Sequence, residues 1–273
     1  MTTTAFHSSV IACFEECDPT RKVEQTRAMA ASLLAGELPF SQDQMGVAPL
    51  DQPGRPARPE LVAPRHLRRR GLNDSAGRAA LIHAVAHIEF NAINLALDAV
   101  LRFPHMPSDF YADWLRVADE EAYHFSLMRE RLQALGYDYG DFPAHDGLWA
   151  MARQTAGDLL ERMALVPRVL EARGLDVTPG MIKRLRTVGD EDTAERLAII
   201  LRDEVGHVAI GSRWFRWLCE QRELEPHATY LRLIRERFSG QVRCPLNLPD
   251  RRRAGFDQVE LDGLVALCGG SSG

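Results

Sequence analysis

The chain has few cysteines, and they form no pattern. Cys13, Cys17, Cys219, Cys244 and Cys268 are scattered and odd in number. That excludes a disulfide framework from the expectation and fits reduced thiols in a cytoplasm. Cys13 and Cys17 can share a helix face, but no companion pair completes a zinc site. No apolar run is expected to reach the length of a membrane span. The N-terminus has no basic segment leading into a long apolar one, so no signal peptide is read there. Strand-like alternation is lacking throughout. Acidic and basic residues nearly balance, at a net charge of −5, which gives no general drive toward nucleic acid. The basic run Arg65–Arg70 has no aromatic residues interleaved and reads as solvated.

What remains is a helical protein. Apolar residues make up 45% and charged residues 26% of 273, enough for one large or two small domains. Residues 5–36 read as helix broken at Asp18-Pro19-Thr20. Prolines from Pro39 to Pro64 predict an extended arm without regular structure. Four long helices follow. The first runs from Ser75 to about Phe103, the second from Ser108 or Asp109 to Leu135. The third runs from about Leu148 to Arg173 with a bend at Pro167, and the fourth from Asp190 to Arg222. Gly174–Pro179 reads as irregular before a short helix, 180–188. Helices at 225–238 and 257–267 complete the chain, with an irregular tail, 246–255, between them. The expected organisation is residues 1–72 as N-terminal helices and arm, 73–224 as a four-helix bundle, and 225–268 as a helical extension packed on it.

The chemistry lies in two repeated motifs. Glu204 and His207 are three apart on the fourth helix, on a face with Leu197, Ile200, Leu201, Val208 and Gly211. Glu121 and His124 repeat the spacing on the second helix, among Trp114, Val117, Ala118, Phe125 and Met128. A carboxylate and an imidazole aimed into an apolar stripe need a partner, because burying them unpaired is costly. Two Glu-x-x-His pairs on two amphipathic helices are the pattern of a carboxylate-bridged dinuclear site, which also draws one carboxylate from each of two further helices. The first helix offers Glu89, centred among Ile82, Val85, Ala86, Ala92 and Ile93. The third offers Glu161 or Glu171. Glu161 shares its face with Gln154, Asp158 and Arg168, which reads as wet. Glu171 follows Leu160, Ala164 and Pro167. Glu89 precedes Glu121 by 32 residues and Glu171 precedes Glu204 by 33, so Glu171 is preferred and Glu161 held in reserve.

The expected ligands are therefore Glu89, Glu121, His124, Glu171, Glu204 and His207. Oxygen and nitrogen donors without thiolate suit two iron ions, with manganese or zinc as alternatives. Metal-bound histidines usually give their second ring N–H to a carboxylate. Asp203 and Glu120, each preceding a ligand glutamate, are candidates for that task. His83, His87, Tyr123, Trp214, Phe215 and Trp217 read as packing residues, and Arg251-Arg252-Arg253 as solvated or paired with acids on the bundle.

With these residues the chain resembles the ferritin-like di-iron carboxylate superfamily, and more narrowly the bacterial ferritin-like proteins of unknown function. The likeness lies in His83–Glu89, Asp119–His124, Met163–Arg168 through Glu171–Asp176, and Asp203–His207. It extends from about Pro64 to Leu267. More distantly, Glu171-Ala172-Arg173 is similar to the third-helix pattern of di-iron tRNA hydroxylases. The resemblance implies an all-α ferritin-like four-helix bundle and a metal site, but no particular substrate. The reading favoured is a dioxygen-activating di-iron oxidoreductase of oxygenase or hydroxylase type. Its substrate would be a small molecule or modified nucleoside, its electron donor is unspecified, and a homodimer is open. Its rivals are a ferroxidase or metal-handling protein, and a non-catalytic scaffold with a structural metal.

Overall fold

The computed structural model describes residues 5–37, 51–68, 70–238 and 242–269. All regular structure among them is helical. The sole pairing of extended backbone among the described residues is an isolated bridge between Leu61 and Ala144. By packing, the chain forms two compact units, Met1–Arg153 and Gln154–Gly273.

The first unit is organised on a long hairpin, α3 (Ser75–Arg102) and α4 (Ser108–Ala134). Asp74 caps α3 by accepting from Gly77 N, and Gly77 lets the chain pass within contact of Gly71 O, where a Cβ would clash. The turn between the helices spans only residues 103–107, which makes α3 and α4 antiparallel neighbours. Tyr111 pins it: its hydroxyl donates to Phe103 O and accepts from Met106 N. Pro107 rather than Ser108 or Asp109 occupies the cap position of α4. Against the hairpin lie α1 (Ala5–Glu15) and α2 (Pro19–Leu34), and α5 (Gly147–Gln154) meets α1 where the Trp149 and Phe14 ring centroids are 5.9 Å apart. Buried Lys22 ties α1 to α3 by donating to Cys13 O, Phe14 O and Asn94 Oδ1. Burial lowers its ammonium pKa to about 7.

One further expectation is corrected in this unit. Helix α3 is long and apolar enough by composition to cross a membrane, with a mean hydropathy of 1.3 over its best window. Interspersed His83, His87, Glu89, Asn91, Asn94 and Asp98 disguise that length in the sequence. Here the helix is apolar nearly all round because it is surrounded by protein. The arm is as expected where it is described: 51–63 has no helix, and it is seated by Gly54 N donating to Phe14 O and by Arg55 pairing with Asp146. Residues 39–50 of the arm lie outside the described residues.

The second unit contains α6 (Leu159–Leu165), a π-helical turn (Val166–Glu171), α7 (Ala172–Thr187) and α8 (Glu191–Gln221). The expected third helix is therefore shifted. It breaks at 155–158, where Asp158 caps α6, and then continues through Gly174 and Pro179 to Thr187. The widened turn falls at Pro167, which lacks the N–H that an α-helix needs there. Gly211 on α8 makes room for it: a Cβ at Gly211 would lie 2.4 Å from Pro167 Cβ and Cγ. After α9 (Pro226–Arg237) the expected irregular tail contains a short helix, α10 (Leu248–Arg253), capped by Asn247. Helix α11 (Gln258–Gly269) follows.

Arg168, expected to be wet, is fully buried. Its guanidinium stands 4.1–4.6 Å from the ring centroids of Phe215, Tyr230 and Phe256 and donates to Glu260 at 2.5 Å. A cation can be buried this way because it has both a carboxylate and π faces. Arg251 is likewise buried and paired with Asp176, while Arg252 and Arg253 are exposed. The reduced-thiol reading is also corrected. Cys244 and Cys268 form a disulfide; Cys13, Cys17 and Cys219 remain thiols. The two partners are 24 residues apart and meet only because α11 returns beside the segment after α9, which spacing cannot reveal.

Candidate metal centre

Glu89 is the fourteenth residue from the C-terminal end of α3, and Glu121 is the fourteenth from the start of α4. In an antiparallel hairpin both therefore sit at one depth, roughly 20 Å from the turn at 1.5 Å per residue. His124, one helical step beyond Glu121, shares its face. All three are buried, and one ligand atom from each lies within 4.8 Å of the others. His124 Nδ1 is 3.6 Å from Glu89 Oε2 and 3.5 Å from Glu121 Oε2.

Those separations are too long for good hydrogen bonds, which close to about 2.7–3.2 Å. They match donors arranged round a common ion, since bonds of about 2.0–2.2 Å to one metal leave neighbouring donors roughly 3–3.5 Å apart. The electrostatics agree. Burial, and then the Glu121 charge, push the Glu89 carboxyl well above its ordinary range. Burial alone would lower the His124 pKa, but the Glu121 and Glu89 carboxylates outweigh it and raise it to about 11. The donor set fits a hard or borderline divalent metal.

The second unit carries its own glutamate–histidine pair. Glu204 and His207 are buried on one face of α8, with His207 Nδ1 3.7 Å from Glu204 Oε1. Glu171 closes the π-helical turn and is buried. It lies sixteen residues before the end of α7, and Glu204 thirteen after the start of α8, so the two stand at similar depth. Glu161 is instead engaged by Arg237, at 2.6 Å. A carboxylate held at the surface by a guanidinium is a poor candidate ligand. Asp203 forms a bidentate pair with its neighbour Arg202, and Glu120 is half-buried. Sequence reasoning missed the π-helical turn. Pro167 signalled a bend, but not a widened turn ending on the candidate ligand.

His83 and His87 are core residues, as read. His83 Nε2 accepts from Gly140 N, and His87 bonds the Tyr139 hydroxyl. Burial lowers both pKa values to about 4, so both rings are neutral.

The fold and the site thus define the class: an all-helical protein with a buried carboxylate–histidine cluster. The chain belongs to the family described as "Protein of unknown function (DUF455)", which matches residues 15–262. It is also 43% identical over 268 residues to an uncharacterized protein of Haemophilus influenzae. That alignment covers 95% of this chain and 93% of the relative. No solved structure matches it.

Proposed function

We propose that the two halves form one dinuclear metal centre in a ferritin-like four-helix bundle, and that the protein is a di-iron oxidoreductase. In this reading residues 73–224 make the bundle, with 1–72 and 225–268 packed on it. Glu89, Glu121 and His124 would hold one side of the centre, and Glu171, Glu204 and His207 the other. The observation that carries the proposal is the stand-off of His124 from two buried carboxylates at 3.5–3.6 Å. Such a cluster is costly to fold unless a cation compensates it. The π-helical turn at Glu171 supports it, because such turns occur often at functional sites.

Two iron ions, when bound, supply one- and two-electron chemistry toward dioxygen. The chain's own contribution is to hold and orient them. Four carboxylates carry four negative charges, which balance two divalent cations. The imidazoles of His124 and His207 provide neutral donors once His124 has released its proton. Phe125, Trp114 and Ile93, all buried, keep water from the α3–α4 side. Asp203 and Glu120 would orient the ligand histidines. The substrate in this reading is a small molecule or a modified nucleoside.

Anaerobic loading with ferrous iron tests the reading. Two irons per chain and an optical change on admitting dioxygen are the expected result. Two irons oxidised with release of ferric ion and no product from any organic substrate would favour metal handling. A bound ion inert to dioxygen would make the site structural and defeat the oxidoreductase proposal.

A further inference from the structure

The first unit contains a cavity of about 360 Å³ on the far side of α3 from Glu89. His87 lines it, and His87 and Glu89 are two residues apart, about 200° round a helix. The cavity is therefore separate from the metal cluster. Its size is that of a small-molecule site.

The wall has a consistent chemistry. Ala80, Ala84, Leu67 and Leu148 make its body apolar, and Phe142 adds a ring face. Ile88, at the same cavity, is 45% exposed on a helix otherwise buried over most of its length. The charged groups of the wall are all of one sign. Arg68 and Arg70 line the cavity with His66 and His145, and no carboxylate does. Several other arginines of this unit are paired with acids, as Arg55 is with Asp146, Arg102 with Asp98 and Arg129 with Asp138. Among the described residues Arg68 and Arg70 have no such partner, and Arg70 lies 5.4 Å over the Phe142 ring. His145 adds a committed tautomer. Its Nδ1 accepts from Gly147 N, so the neutral ring carries its proton on Nε2, where it is a donor. Deeper in, the His87 ring is fixed by Tyr139 and is neutral. Guanidinium groups and imidazole N–H donors beside an apolar cleft suit an oxyanion attached to an apolar body.

We propose that this cavity binds a small amphipathic anion, a phosphate or carboxylate carried on an apolar ring, with Arg68 and Arg70 taking the charge and the α3 wall the ring. The site is independent of the metal reading and stands whether or not iron is bound.

Calorimetric titration of the full chain tests it with four probes: 1-naphthyl phosphate, 1-naphthoate, 1-naphthol and inorganic phosphate. The expected result is saturable binding of one anion per chain, with naphthol and inorganic phosphate each at least tenfold weaker, because ring and charge are both read. Tenfold preference for the phosphate ester assigns a phosphorylated ligand, and the reverse preference a carboxylic acid. Ala84→Trp fills the cavity from an exposed helix position, and Arg68→Ser with Arg70→Ser removes the charge. Each should weaken the better anion at least tenfold with thermal unfolding unchanged. Absence of saturation by either anion, naphthol binding as tightly as the anions, or binding untouched by both variants would overturn the proposal.

Discussion

Replacing Gly211 by alanine sets two effects of opposite sign against each other. Alanine gains about 1 kcal/mol over glycine inside a helix, because the unfolded glycine has more freedom to lose. Against this, the new Cβ would lie 2.4 Å from Pro167 Cβ and Cγ, where ordinary carbon contacts need about 3.5–4.0 Å. The proline ring is closed on its own backbone and cannot rotate away, so the π-helical turn itself must retreat by about 1 Å. Overpacking of this kind costs about 1–3 kcal/mol. The net effect is a loss of up to about 2 kcal/mol, or up to roughly 4 °C in the unfolding midpoint for a chain of this size. Gly206→Ala is the control. It lies in the same helix, exposed, with nothing within 4 Å of the added Cβ. It should raise the midpoint by a few degrees. A second readout follows from position: Glu171 ends the turn that Pro167 opens, so Gly211→Ala should also weaken metal binding. Differential scanning calorimetry of both variants checks the reasoning. If Gly211→Ala stabilises the protein as much as Gly206→Ala does, the close approach of α8 to the π-helical turn is refuted.

Other outcomes follow from single side chains. Glu171→Ala should lower metal stoichiometry and end any dioxygen reactivity, while Glu161→Ala, which only releases Arg237, should leave both nearly intact; metal analysis of the pair decides between them. The His87 pKa falls from 6.5 to about 4 on folding, so the unfolded chain takes up a proton first as pH drops. Its contribution is fully present above pH 6.5 and is lost between there and pH 4, by roughly 3 kcal/mol. Denaturant titrations should therefore show a shallower acid loss for His87→Gln than for the native chain. Arg168→Ala leaves buried Glu260 with Arg216, at 3.3 Å, as its remaining cation and should cost about 3 kcal/mol, whereas adding Glu260→Leu should recover much of it. A double variant no more stable than Arg168→Ala alone would show that the aromatic contacts, not the ion pair, matter there.

The helical class, the positions of α3, α4 and α8 to within a residue or two, and the buried faces carrying Glu89, Glu121, His124, Glu204 and His207 were all legible before any coordinates. These are periodic features: spacing of three or four on an apolar stripe places side chains on one face wherever the helix lies. The burial of Glu171 was legible too, from the apolar line it follows; its preference over Glu161 as a ligand is a proposal that the paired variants test. Tertiary structure alone decided the rest. The widening at Pro167 depends on Gly211 of another helix. The burial of Arg168 depends on three rings and Glu260, up to 92 residues away. The Cys244–Cys268 bond depends on where α11 returns. The His124 pKa depends on carboxylates from two helices. Each is a contact between segments remote in the chain, and local periodicity carries no information about which segments meet.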